Sequence, residues 1–408
     1  MYASSDTDSR WQNINFNVVQ TRVKKLQMRI AKAYKDGNYS KVETLQHRLI
    51  HSYSARVLAV KTVTTNRGKN TSGVDDILWN TQEDKWQAVS ELKRRGYRPK
   101  PLKRVYIPKP DGTKRPLSIP TMKDRAMQTL YKIALEPIAN TTADPHSYGF
   151  RNGQSTQGAI NRCVEVLSGH NNHWILEADI KGCFDNISHD WILRNIPIDK
   201  LVLRKILKSG VIENGKYTPL ERGVPQGSCI SPIICNMALD GLDPIITTNS
   251  HHNSPIHFIR YADDFIITGK SKEYLKQKIL PIVKSFLAER GLSLSMNKTV
   301  ISHIDDGFDF LGWNVRRADE QVIVEPATKN LNSLLHKIRD VTKRNTPLTD
   351  EQQFSSLKPI ITGWLNYHRG VVTKTSLSRA KSEILHLLQE LTNNIRLLEL
   401  VTPLVGTL

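Results

Sequence analysis

The sequence predicts an α+β fold, mixed over its first 325 residues and helical beyond. Three observations carry this. Apolar residues recur at helical spacing near the N-terminus, β-favouring runs meet at tight turns through the middle, and the pattern turns purely helical after Pro326. At 408 residues the chain is long enough for two or three domains and a substantial core. Boundaries are expected to divide it into 1–100, 101–325 and 326–408.

Composition narrows the partner. Lys and Arg number 58 against 39 Asp and Glu, a formal net charge of +19, which favours a polyanion and nucleic acid first. No apolar run is long enough to span a membrane, and residues 1–10 carry neither a signal-peptide core nor a lipidation motif. The expectation is a cytoplasmic protein without membrane contact. Cys163, Cys183, Cys229 and Cys235 lack CxxC or zinc-finger spacing and are expected as reduced thiols.

From Val19 to Tyr53 the helical period is broken once, at Asp36-Gly37-Asn38, which predicts a helical hairpin. Its polar face carries Arg22, Lys24, Lys25, Arg29, Lys32, Lys41 and Arg48. A merely solvated face would mix signs, so RNA contact is expected here, with Arg29 as a candidate. Residues 61–76 read as a basic loop in which Lys69 is a second candidate. A helix over 82–95 is stopped by Gly96 and Pro99. Val105 and Ile107 then alternate against Leu117 and Ile119 about Pro110-Asp111-Gly112-Thr113, a hairpin whose tip crowds Lys109, Lys114 and Arg115. That tip is either a solvated basic turn or a grip for a triphosphate. A helix over 124–137 is closed by Pro137. In the loop 147–153 an aromatic and Arg151 are suited to stacking bases and touching phosphates, or to packing, and Ser155 caps a helix through Val166.

Trp174 to Ile180 read as a strand that delivers Asp179, with Phe184 and Asp185 just beyond it and Ser188 capping the next helix. Residues 223–227 form a tight loop, and Ser231-Pro232 opens a helix through Ile234, Ala238 and Leu242. Between Phe258 and Ile267 two apolar runs flank Ala262-Asp263-Asp264. Consecutive strand residues face opposite ways, so both acids serve one site only if the backbone turns there. Acid pairs also occur in solvated turns. A helix over 273–290, short strands at 292–294 and 308–315, and three amphipathic helices after Pro326 complete the reading.

One acid at a strand end and two on a later hairpin are the hard oxygen ligands that suit Mg²⁺. A pair of such ions activates a primer 3′-hydroxyl and neutralises a leaving pyrophosphate, with no nucleophilic Ser or Cys required. No P-loop, GxSxG elbow, HExxH or EF-hand motif competes with this reading.

Seven segments in order then carry a resemblance: IPKPDGTKRPLSIP (107–120), SYGFR (147–151), DIKGCFD (179–185), GVPQG (223–227), RYADD (260–264), GLSLS (291–295) followed by Lys298-Thr299, and FLGW (310–313). Together they resemble the maturase-type reverse transcriptases encoded by bacterial group II introns. The flanks are similar too, through Trp11, residues 26–30 and 68–75 at the N-terminal side and residues 363–369 in the helical region.

The resemblance implies a right-hand polymerase fold, with fingers and palm built of antiparallel sheet plus helices and an α-helical thumb. It implies an RNA-directed DNA polymerase that meets a structured RNA, an RNA-DNA hybrid and dNTPs, with Mg²⁺ as cofactor. Asp179 and Asp263 are implied as direct metal ligands with Asp264 in support, Lys109 and Arg115 as triphosphate binders, and Gln226 as a nucleotide-pocket residue. Phe184 matches an aromatic under the sugar, where a ring would collide with a 2′-hydroxyl; ordinary packing stays open for it and for Gln226. The ending over 397–408 departs from the family's mobile members, being apolar without a basic DNA-binding segment or a Cys/His endonuclease domain. Alternatives are therefore a related enzyme recruited to antiphage defence with a dedicated non-coding RNA, and a non-catalytic splicing cofactor, the latter opposed by the intact acids. An RNA-dependent RNA polymerase is opposed by Phe184.

Overall fold

The computed structural model describes residues 10–108, 112–169, 173–248, 256–343, 349–372, 374–391 and 395–406. The expected N-terminal hairpin is formed by helices Phe16–Lys35 and Tyr39–His51, opened by Asn15 and Asn38, whose side chains accept from the Val18 and Lys41 amides. Val19, Val23, Ile30, Val42, Leu45 and Leu49 face the core. Arg22, Lys24, Lys25, Arg29, Lys32, Lys41 and Arg48 are exposed. A third helix, Tyr53–Thr65, takes in residues 61–65 that read as loop. Burial of Val57, Val60 and Val63 outweighs the weak helix preference of its Val and Thr residues.

Pro137 does not close its helix. The helix runs Met122–Thr141 straight through it. Proline there deprives the Ile133 carbonyl of its helical partner, and the N-terminal hairpin supplies a substitute: Gln27 Nε2 donates to Ile133 O at 2.8 Å. Gln46 Nε2 likewise donates to Ala134 O at 3.2 Å and Pro197 O at 2.9 Å. The same core cluster runs unbroken from these helices into the central sheet.

Strands β1 (Leu102–Pro108), β2 (Lys114–Ile119), β3 (Trp174–Asp179), β4 (Val211–Glu213), β5 (Lys216–Thr218), β6 (His257–Tyr261), β7 (Asp264–Gly269), β8 (Val300–His303), β9 (Phe308–Phe310), β10 (Trp313–Ala318) and β11 (Gln321–Pro326) make three sheets. The first, ordered β2-β1-β4-β5, contains the expected basic hairpin. The central sheet is ordered β6-β7-β3-β8 and is antiparallel throughout. Phe258, Phe265, Ile267, Leu176 and Ala178 fill the core on one face, Ile259, Ile266 and Ile175 on the other. Burial on both faces explains runs that are continuously apolar rather than alternating.

Local expectations change in three places. Residues 292–294 contribute only a single bridge, Ile180 to Leu294, and the edge strand is β8. The expected strand over 308–315 is two strands, β9 and β10, turning at Leu311-Gly312 and continuing to β11. The helix opened at Ser231 stops at Leu239 and resumes as Leu242–Thr248.

Beyond β11 lie helices Thr328–Thr342, Asp350–His368, Lys374–Leu391 and Ile395–Gly406, one more than the three expected. The apolar ending is the fourth, and its Leu397 and Val401 are wholly buried in the bundle core. The bundle is bolted to the third sheet by aromatic contact: Tyr367 stacks on Trp313 at 4.3 Å, and the Tyr367 hydroxyl donates to Leu311 O at 2.7 Å. Among the described residues no helix is long and apolar enough to cross a membrane.

His368 sits in that joint, fully buried, edge-on to Trp313, with Nε2 3.3 Å from Asn330 Oδ1. Burial pushes its pKa down from 6.5 to about 4. The folded ring is thus neutral while the unfolded one takes a proton below pH 6.5, so this stabilisation is present above pH 6.5 and is lost as pH falls towards 4. Denaturant titrations of wild type and His368→Leu should diverge with pH: acidification from pH 7 to 4.5 costs the wild type on the order of 2–3 kcal/mol more. A pH-independent difference would remove His368 from the acid response.

Candidate active site

The β6–β7 hairpin closes over two residues, with Tyr261 paired to Asp264 and Ala262-Asp263 between them. Ala262 takes φ +58, a left-handed conformation that a non-glycine residue keeps only when its surroundings fix it. On the neighbouring strand Asp179 pairs directly with Asp264. All three expected acids therefore meet at one end of the central sheet. Burial and then the Asp179 charge raise the Asp263 pKa, while Arg115 and Lys298 pull it down. Asp264 is lifted to about 6, by burial first and then by Asp263 and Asp179. Crowded carboxylates of this kind are short of positive charge.

Part of that charge comes from Lys298, which sequence reasoning quoted within a motif without giving it a role. Its ammonium lies 3.1 Å from Asp179 Oδ2, and the contact raises its pKa. The spacing has a structural cause: Ser295 N donates to Asp179 O at 2.8 Å, and the 3₁₀ turn Met296–Lys298 swings the lysine back to the same aspartate. Among the described residues no three His, Cys, Asp or Glu side chains form a cage able to hold a metal ion by themselves. The acids nevertheless fit a hard divalent cation, because Mg²⁺ is commonly held by one or two carboxylates together with substrate phosphates and water.

Behind the turn is a buried ionic cluster that the sequence did not reveal. Arg260, wholly inaccessible to solvent, donates to Asp240 Oδ1 at 2.6 Å, to Asn236 Oδ1 at 3.1 Å and to the Ala262 carbonyl at 3.2 Å. The last bond ties down the left-handed residue that aims Asp263. Arg151 shares the same Asp240 oxygen at 2.5 Å and also bonds Ser147 Oγ and Ala139 O. This corrects the expectation for Arg151: its side chain is 7% exposed and is committed to holding the palm, so it is not presented to nucleic acid. A charge inside the apolar run Phe258-Ile259-Arg260-Tyr261 was the available signal.

Arg115 is exposed on β2 and acts electrostatically on Asp263; Lys109 lies outside the described residues. Phe184 is half-buried on the turn Cys183–Asn186, which follows left-handed Gly182. Gln226 Nε2 donates to Asp185 Oδ2 at 3.3 Å, and its carbonyl accepts from Ser118 N at 2.7 Å, joining the 223–227 loop to β2. Gly223 must be glycine, since at φ +79 a Cβ would fall 2.5 Å from the Asp185 carbonyl. Lys69 is exposed in a loop whose Gly68 and Thr71 carbonyls are held by buried Arg125.

Family comparison agrees with this arrangement. The model for reverse transcriptase (RNA-dependent DNA polymerase) matches residues 107–315, just over half the chain. The chain belongs to the reverse transcriptase family. The N-terminal domain of reverse transcriptase matches residues 11–92, and the group II intron maturase-specific domain residues 331–392. The group II intron-encoded protein LtrA of Lactococcus lactis subsp. cremoris is 29% identical over 347 residues, covering 68% of this chain and 58% of LtrA. Protein YkfC of Escherichia coli (strain K12) is 30% identical over 303 residues, covering 64% and 79% respectively. The putative COX1/OXI3 intron 2 protein of Saccharomyces cerevisiae is 26% identical, covering 69% and 40%. The reverse transcriptase fold expected from the sequence is the one observed, with helices, a C-terminal helical bundle and sheets that are antiparallel except where β1 runs parallel to β4. Reverse transcriptases of this family work with a divalent metal and act on RNA.

Two outcomes follow for this reverse transcriptase. Asp240→Asn leaves two guanidiniums in the palm without their carboxylate and should cost about 3–5 kcal/mol in denaturant unfolding; a loss under about 1 kcal/mol would show that the cluster is not needed. In Mn²⁺ titrations followed by electron paramagnetic resonance, Asp179→Asn should weaken binding and Lys298→Met tighten it, because the ammonium competes with the ion for Asp179. Unchanged binding in both would place the cation elsewhere.

Proposed function

We propose that this chain is an RNA-directed DNA polymerase that adds dNTPs to a primer annealed to RNA and works with a specific structured RNA, as group II intron maturases do. The observation that carries the reading is the convergence of Asp179, Asp263 and Asp264 at one sheet end, under the electrostatic reach of Arg115. In this reading Asp179 and Asp263 hold Mg²⁺ and Asp264 supports them, the ions supplying an acidified primer 3′-hydroxyl and neutralisation of phosphate charge.

The chain's own residues do the rest. Arg115, together with Lys109, grips the triphosphate through a bidentate fork and a point charge. Phe184 stands under the sugar and excludes a 2′-hydroxyl by size. Gln226, oriented by Asp185, lines the nucleotide pocket beside it. Arg29 and Lys69 contact the structured RNA from the exposed basic face and the loop behind it, and the RNA-DNA hybrid lies between palm and thumb. The corresponding division is 1–100 for the N-terminal extension and start of the fingers, 101–325 for fingers and palm, and 326–408 for the thumb.

Extension of a DNA primer annealed to RNA tests this. Wild type should incorporate dNTPs in Mg²⁺ and prefer them to NTPs, and Asp263→Ala should lose at least about a hundredfold in kcat/KM. Wild-type protein that incorporates no dNTP would overturn the proposal, and a preference for NTPs would overturn the role given to Phe184.

A further inference from the structure

The loop over residues 146–151 is pinned from several sides against the catalytic turn. Arg260 N donates to His146 O at 2.9 Å and Tyr148 N donates to Arg260 O at 2.8 Å. Asn236 Nδ2 donates to the Gly149 carbonyl at 2.8 Å. Gly149 itself is pressed so closely on the hairpin that a Cβ would lie 2.3 Å from Ala262 N. Arg151 is anchored in the ionic cluster.

Between these anchors Phe150 is unusual twice over. Its backbone is left-handed, at φ +57, and the residue is 58% exposed. Neither core burial nor a relaxed backbone accounts for a phenylalanine here. The ring stands edge-on to Phe184, with centroids 6.2 Å apart and planes at 90°. Phe184 needs such support. It rides on a four-residue helical turn and is only half-buried, and a ring that excludes a hydroxyl by size does so only as well as it resists rotation.

We propose that Phe150 is a specificity-determining positioning residue: with Phe184 it forms a two-ring wall, and its edge-to-face contact fixes the Phe184 ring against the sugar of the incoming nucleotide. This rests on the reading of Phe184 as the sugar-facing residue of an RNA-directed DNA polymerase. The anchored loop is the rigid mount, and the left-handed backbone directs the Phe150 ring outward to Phe184 instead of into the core. Discrimination between dNTP and NTP thus depends on both rings, while binding of the triphosphate depends on neither.

The test is single-nucleotide incorporation on a primer annealed to RNA, comparing kcat/KM for a dNTP and its matching NTP. Phe150→Ala should lower the dNTP/NTP ratio about three- to tenfold, the range one edge-to-face contact commands, with kcat for the dNTP within about threefold of wild type. Phe150→Tyr, which keeps the ring, should restore the ratio. The double variant with Phe184→Ala should discriminate no worse than Phe184→Ala alone, because the support has nothing left to hold. Thermal unfolding of Phe150→Ala should match wild type within a few degrees; if it does not, Phe150→Leu, which keeps bulk without an aromatic edge, should still lower the ratio. Erosion by Phe184→Ala with no change from Phe150→Ala or Phe150→Leu overturns the proposal and leaves the polymerase reading standing. Additive losses in the double variant overturn it equally. A wild type that incorporates no dNTP overturns both.

Discussion

One carboxylate holds the centre of this molecule together. Asp240 receives two guanidiniums in the protein interior, one from the strand that leads to the Ala262-Asp263 turn and one from the loop packed on it. Burying charges is expensive, and their attraction compensates only when geometry and extra hydrogen bonds are good. Here Asn236 and the Ala262 carbonyl provide extra bonds to Arg260, while Asp240 Oδ2 and Arg260 Nε stay buried without a partner, so the compensation is partial. The result is directional as well as stabilising: hairpin, loop and the helix ending at Leu239 are held in one register, and Asp263 is aimed by a backbone that would otherwise relax.

The acids in front of that cluster show the opposite economy. Burial first, and then their mutual repulsion, makes Asp263 and Asp264 both harder to ionise than free aspartates. Lys298 pairs with Asp179 and also draws down Asp263 and Asp264, but at 69% exposure its ion pair is too solvated to contribute much stability. Carboxylates gathered in this way cost stability instead of adding to it.

Much of this was legible in the sequence, and for identifiable reasons. The hairpin, the strand before Asp179 and the caps at Ser155 and Ser188 follow from period and turn chemistry, and they recur in the structure. What failed was decided by long-range contact. Pro137 reads as a stop because no local pattern announces that Gln27, 106 residues away along the chain, will take the carbonyl it strands. Residues 61–65 read as loop because the stretch 61–76 shows no helical period and contains Gly68 and Gly73, yet burial of one face keeps them helical. Arg151 carried the signature of a phosphate contact, and only its distance to Asp240 shows that the charge is already spent. What the apolar ending packs against was not legible either: its Leu397 and Val401 are core residues of the bundle.

The Gln27 and Gln46 bonds have a consequence for how the two ends of the site communicate. The N-terminal hairpin that displays the basic face donates Gln27 to the Ile133 carbonyl left bare by Pro137 and Gln46 to the neighbouring Ala134 carbonyl, and that helix packs against Ser231–Leu239, just ahead of Asp240. The hairpin is therefore a structural splint and not a removable attachment. Excising it would strip a donor from a proline-containing helix that packs beside the acids' sheet, so the basic surface and the core behind it must be engineered as one piece.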